Sequence, residues 1–222
     1  MLVLCAIWGL NMVAVKLASP SLSSPGIPPV LQAGLRSAVA AALLLAWCRG
    51  RGIALGDWRR DGTLAPGLLV GELFGLEFLL LYLGIGLTTA SRAVVFLYAA
   101  PFFVAGSAHF LLPGDRLTAA RAAGLAVAFS GMMLAFAEGI EADGRGQPAA
   151  GSLAGDALCL AAGAFWAATT VLVKASRLRS APAELTLQYQ LVVSAALLLP
   201  ASWLLGEPAP GPLTPLVAGA FL

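Results

Sequence analysis

Seven stretches of this sequence are each apolar over nearly their whole length and long enough to cross a bilayer as helices. That fact constrains the chain more than any motif. They lie near 2–18, 29–48, 64–87, 91–112, 117–137, 152–174 and 184–205, and an eighth begins near 213. A spanning helix needs about 20 such residues. Backbone inside lipid must satisfy its own hydrogen bonds, so the stretches read as helices; none shows the alternating pattern of a barrel strand. Composition agrees. Hydrophobic residues make up 59% and charged residues 11%, against roughly 25% charged in a soluble domain. The expected fold is therefore all-α, a polytopic helical membrane protein with the lipid bilayer as its first partner. A net charge of +2 offers no basic surface for nucleic acid. Cys5, Cys48 and Cys159 are odd in number and form no C-x-x-C pair, so neither a disulfide framework nor a zinc site is expected, and no cofactor is implied. The stretch at 2–18 lacks the basic leader of a signal peptide and contains Asn11 and Lys16.

Turn chemistry separates the stretches: "SPSLSSPGIPP", "CRGRGIALGDWRRDG", "TTAS", "PGDR", "EGIEADGRGQPAAG" and "GEPAPGP". With the N-terminus in the cytoplasm, the inner connections hold Arg49, Arg51, Arg59, Arg60, Arg116, Arg121, Lys174, Arg177 and Arg179. The outer side holds only Arg92, Arg145 and, near the end of the first stretch, Lys16. This bias predicts a multi-pass protein of the cell (inner) membrane with a cytoplasmic N-terminus.

The chain also repeats itself. Residues 6–16 read "AIWGLNMVAVK" and 164–174 read "AFWAATTVLVK", each with a Lys eight residues after a Trp; "AALLL" occurs at 41–45 and 195–199. The offsets are 158 and 154 residues. The first two stretches therefore match the sixth and seventh, and the repeat unit is five helices. An odd unit enters the membrane from the opposite side in its second copy, the inverted-topology plan of many secondary transporters. The expectation is a ten-helix inverted 5+5 repeat, of which about seven and a half helices fall within this sequence. Residues 1–137 would form the first repeat, 138–151 an extracytoplasmic linker, and 152–222 part of the second.

Several segments resemble the drug/metabolite transporter superfamily in its EamA-type branch. "IWGLNMVAVK" is similar to that family's opening W-G-x-N…K segment, and Arg36 in "LQAGLRSAVAAALLL" to an Arg of its second helix. The block from "GLTTASRAVVFLYAAP" to "GLAVAFSGMML" resembles its fourth and fifth helices, with Asp115 where a Glu is usual. The resemblance spans the whole chain. It implies two inverted five-helix halves that move amino acids, other metabolites or drugs, and it implies a site near the mid-helix Pro101, with Tyr98 beside it.

Charges inside a membrane are costly and invite functional readings. Helix arithmetic puts Lys16, Arg36 and Glu77 about two-thirds of the way to the outer face, with Glu72 about 8 Å nearer the cytoplasm. Together they could line a chamber for an ionised solute, or a carboxylate could carry a coupling proton. Alternatively, Arg36 and Glu77 form a static ion pair, and Lys16 snorkels to the interface. Trp8 and Trp166 are related by the repeat and could stack on a solute or simply pack at the interface. Polar steps follow each of them: Asn11 in one copy, Thr169 and Thr170 in the other. Gln190 aligns with Arg36 and could bind solute or bridge helices. Gly71 to Gly75 and Gly124 to Ala128 read as close-packing steps. Pro101 should kink its helix and free a carbonyl.

The expected function is a secondary transporter, an exporter by the resemblance, of amino acids or similar small metabolites, with protons as a candidate coupling ion. A non-transporting scaffold is the main alternative; drugs or nucleotide-linked sugars are alternative cargoes. No H-E-x-x-H, G-x-S-x-G or Walker segment points to an enzyme.

Overall fold

The computed structural model describes residues 27–56, 61–112, 114, 117–144 and 149–210, with side chains except at 90 and 135–152. The stretch at 2–18, with Trp8, Asn11 and Lys16, lies outside them. The described helices are α1 (Pro29–Gly50), α2 (Leu64–Leu87), α3 (Ala90–Leu97), α4 (Ala100–Leu111), α5 (Ala119–Gly144), α6 (Ala149–Ala175) and α7 (Ala183–Leu204), with a 3-10 turn at Arg177–Ser180. Among the described residues, five segments are long and apolar enough to cross a membrane: Pro29–Gly50, Leu64–Leu87, Ser91–Leu111, Leu153–Ala175 and Ala183–Leu204. The apolar part of α5 is Ala119–Leu134.

α1 and α7 begin and end on the same punctuation. Pro28 and Pro182 stand just before the first turn, with φ of −54° in both and ψ of 144° and 138°. Such a residue has no side chain with which to cap, and it fixes the entry angle of the chain. Each helix runs 22 residues. Each closes on a Schellman motif around a left-handed glycine. At the end of α1, Gly52 (φ 67°) donates to the Arg49 carbonyl at 3.2 Å and Ile53 to Cys48 at 2.8 Å. At the end of α7, Gly206 (φ 67°) donates to Trp203 at 3.1 Å and Glu207 to Ser202 at 3.1 Å. Every one of these pairs is 154 residues apart.

The two helices run antiparallel. Glu207, presented by the turn after α7, reaches the start of α1, where its carboxylate accepts from the Val30 N–H at 2.9 Å and the Leu31 N–H at 2.8 Å. Ser202 Oγ holds the same carboxylate at 2.7 Å. Those amides have no partner within the helix, and Pro28 cannot supply one. Further along, Gly34 meets Leu199: a Cβ there would lie 2.9 Å from Leu199 Cδ2.

α2 is the central helix, packed against α1, α6 and α7. Gly67, Gly71 and Gly75 repeat every fourth residue and turn one face to α7, opposite Tyr189, Val193 and Ser194 in turn. A Cβ on Gly71 would fall 2.5 Å from Val193 Cβ, so this contact exists only because the side chain is missing. The main core, including Val30, Ala33, Leu81, Tyr82, Leu97, Cys159 and Leu198, joins α1, α2, α3, α6 and α7. Outward-facing Leu43, Phe110, Leu134 and Trp203 are 66–83% exposed, which is stable only where the solvent is hydrocarbon.

Helix extends into both ends of the segment expected as a linker at 138–151, since α5 runs to Gly144 and α6 starts at Ala149; "AFAEGIEADG" holds enough Ala and Glu to propagate a helix. One expectation needs correction. A Cβ added to Gly124 would meet nothing within 4 Å, so that glycine makes no close helix contact among the described residues.

Candidate functional site

The span Ser91–Leu111 breaks in its middle, and the break shapes the site. Pro101 has no N–H for the Leu97 carbonyl. α3 stops at Leu97 and α4 starts at Ala100, with Tyr98 and Ala99 in a tight turn between them. The Leu97 carbonyl turns toward α6, 2.8 Å from where a Gly163 Cβ would stand. Gly163 therefore lets the broken helix lie against α6. Three residues further along α6, Trp166 meets Tyr98 edge-on, with ring centroids 6.0 Å apart at 76°.

Beside this break lies a cavity of about 530 Å³ between α4, α5 and α6. Pro101, Ala105 and Ala108 line it from α4, Trp166, Thr170 and Lys174 from α6, and Arg121 and Leu125 from α5. The α6 residues recur every fourth position and so form one stripe. The Thr170 hydroxyl donates back to the Trp166 carbonyl at 3.0 Å. Lys174 also borders a second cavity of about 340 Å³ with Arg179 and Gln190.

The expected site residues fall into separate groups. Trp166 and Pro101 share the main cavity; Tyr98 stands behind Trp166 and does not line it. Thr170 faces the cavity, whereas Thr169 is buried and its Oγ1 has no hydrogen-bond partner among the described residues. Gln190 faces the smaller cavity. Arg36 and Glu77 form a second group: Gly34 packs at Leu199 and Gly75 at Ser194 and Leu197, so the residues two positions beyond them, Arg36 and Glu77, are carried to the same depth. Arg36 lies within electrostatic reach of Tyr82. Glu77 is buried, and its Oε2 has no hydrogen-bond partner among the described residues. Gln32, fully buried one turn from Arg36, leaves both amide atoms without partners among the described residues. Glu72 is exposed. Trp8, Asn11 and Lys16 lie outside the described residues.

Three features were not anticipated from the sequence. Lys174 and Arg121 line the cavity. The spacing of Trp166 and Lys174, eight residues or just over two helical turns, was the available signal, since it sets both on one face. At the opposite end of the helices, Asp156 of α6 is buried and receives Arg92 through an ion pair, with Nε at 3.2 Å from Oδ1, and the Thr88 hydroxyl at 2.8 Å. Glu207 caps α1. Neither acid stood in a recognisable pattern.

Long apolar helices, a broken span and a cavity between three of the helices define a polytopic helical membrane protein. Residues 1–137 match the model of the EamA-like transporter family, and the chain belongs to that family, whose members carry small solutes across membranes. A solved crystal structure, described only as that of a protein, is similar over 96% of this chain and 72% of its own, with a TM-score of 0.68 and 23% identity. At that identity it shows the same fold. None of the curated proteins compared with the chain matches it.

Proposed function

We propose that the chain is a secondary transporter that exports amino acids or similar small metabolites by alternating access. On this reading it sits in the inner membrane with a cytoplasmic N-terminus and is built as an inverted 5+5 repeat. The cavity at the Pro101 break carries the proposal. Its volume of about 530 Å³ suits a small metabolite, and it lies at an interrupted helix, where transporters place their sites. The antiparallel pairing of α1 with α7, each with the same start and stop 154 residues apart, supports two halves of opposite sense. Glu77 is the proposed carrier of a coupling proton: it is a buried carboxylate at the depth of Arg36.

The test is uptake of labelled amino acids into liposomes holding the purified protein, with and without a pH gradient. Accumulation that Trp166→Leu reduces supports the reading. A protein that folds in the bilayer and moves no solute under either condition contradicts it.

A further inference from the structure

The lining of the main cavity is sorted by chemistry along its length. At one end stand Pro101 and Trp166, apolar and beside the helix break. Lys174 lies eight residues from Trp166 on the same stripe of α6, about 12 Å away at 1.5 Å per residue. Arg121, in the first turns of α5, lines the same cavity. Among the described residues, no Asp or Glu lines it. Thr170, between the two ends, spends its proton on the Trp166 carbonyl and so brings no hydroxyl donor to the cavity. The hydrogen-bond donors of charged type are therefore gathered at one end.

We infer that this cavity selects organic anions: small molecules with a carboxylate or phosphate group on a compact apolar body. The anionic group lies between Lys174 and Arg121, and the apolar body reaches Trp166 and Pro101. This inference rests on the reading of the cavity as a solute site, and it narrows the small metabolites of that reading to those of net negative charge, away from zwitterionic amino acids. Amines of the same shape are rejected, because they bring a third cation to the same end. Both cations are exposed, so their attraction is screened, and affinity for the anion falls as salt rises.

The experiment measures equilibrium binding to the protein in nanodiscs of neutral lipid. The probes are 3-phenylpropionate, phenethyl phosphate, 3-phenylpropanamide and 3-phenylpropylamine, matched in body and differing in charge. The expected order puts both anions about tenfold or more tighter than the amide, the worth of a charge-assisted contact, with the amine weakest. Lys174→Gln with Arg121→Gln should bring the acid to the level of the amide, and Lys174→Arg should keep the preference. Trp166→Leu should weaken acid and amide alike. Equal binding of acid and amine by the wild-type protein overturns the inference, as does an acid preference that survives the double substitution. A repeat in anionic lipid separates the two sources of anion. If a folded double-Gln protein loses retention of anionic lipid while its affinity for phenylpropionate is unchanged, the cations serve headgroups and the inference fails. Transport without regard to solute charge would remove the inference and leave the transporter reading intact. Charge-selective binding without transport would do the reverse.

Discussion

Arg92 and Asp156, 64 residues apart in sequence, join α3 to α6, and the Thr88 hydroxyl completes the cluster. Asp156 is buried, and the cluster ties the end of α2 and the start of α3 to α6. Gly84 and Gly155 allow the approach: a Cβ on Gly155 would lie 2.8 Å from the Thr88 nitrogen.

Asp156 is the buried member of this pair, so removing Arg92 leaves a buried charge without its cation. Arg92→Leu should destabilise the protein by about 3 kcal/mol, read as a lower midpoint of denaturation in detergent. Arg92→Leu with Asp156→Leu should recover much of the loss, since no orphaned charge remains. A double variant as unstable as the sum of the single ones would show that the pair acts mainly through its surroundings.

Glu207→Ala should release the first turn of α1 and cost about 1–2 kcal/mol. Amide exchange at Val30 and Leu31 should accelerate, while exchange in the middle of α1 stays unchanged. Unaltered exchange at both amides would mean that another acceptor takes the place of the carboxylate.

The two glycine steps seen in the sequence should answer differently. Gly71→Ala forces a methyl against Val193 and should cost about 1–3 kcal/mol; Gly124→Ala, with open space around it, should change stability by no more than about 0.5 kcal/mol and could stabilise α5. Paired denaturation curves decide the matter.

How far the sequence speaks depends on the range over which a feature acts. Spans are local, and apolar length alone located α1, α2, α6 and α7 to within a few residues. The repeat was visible as "AALLL" at an offset of 154, and the same offset relates Pro28 to Pro182 and Gly52 to Gly206, a signal that lay unread in the turns. Pro101 announced its break because a missing N–H acts on its own helix. Arg92 and Asp156, or Glu207 and Val30, are partners only after folding, and no periodicity connects them. The cavity likewise combines three helices. The sequence pointed to Trp166 and Pro101 but not to Lys174 and Arg121, whose position beside the turns suggested only topology.

Glu77→Gln removes the proposed proton carrier with little change in volume. If Glu77 couples transport to protons, the variant should keep solute binding and lose the dependence of uptake on a pH gradient. Full retention of that dependence would make Glu77 a structural residue.

The most direct measurement of alternating access is the reach of a single thiol at the cavity wall. In a protein with Cys5, Cys48 and Cys159 replaced, Thr170→Cys is exposed to a membrane-impermeant maleimide from one face of proteoliposomes and then from the other. The account predicts labelling from both faces, slowed by transported solute. Labelling from one face alone, whatever solute is present, would contradict it.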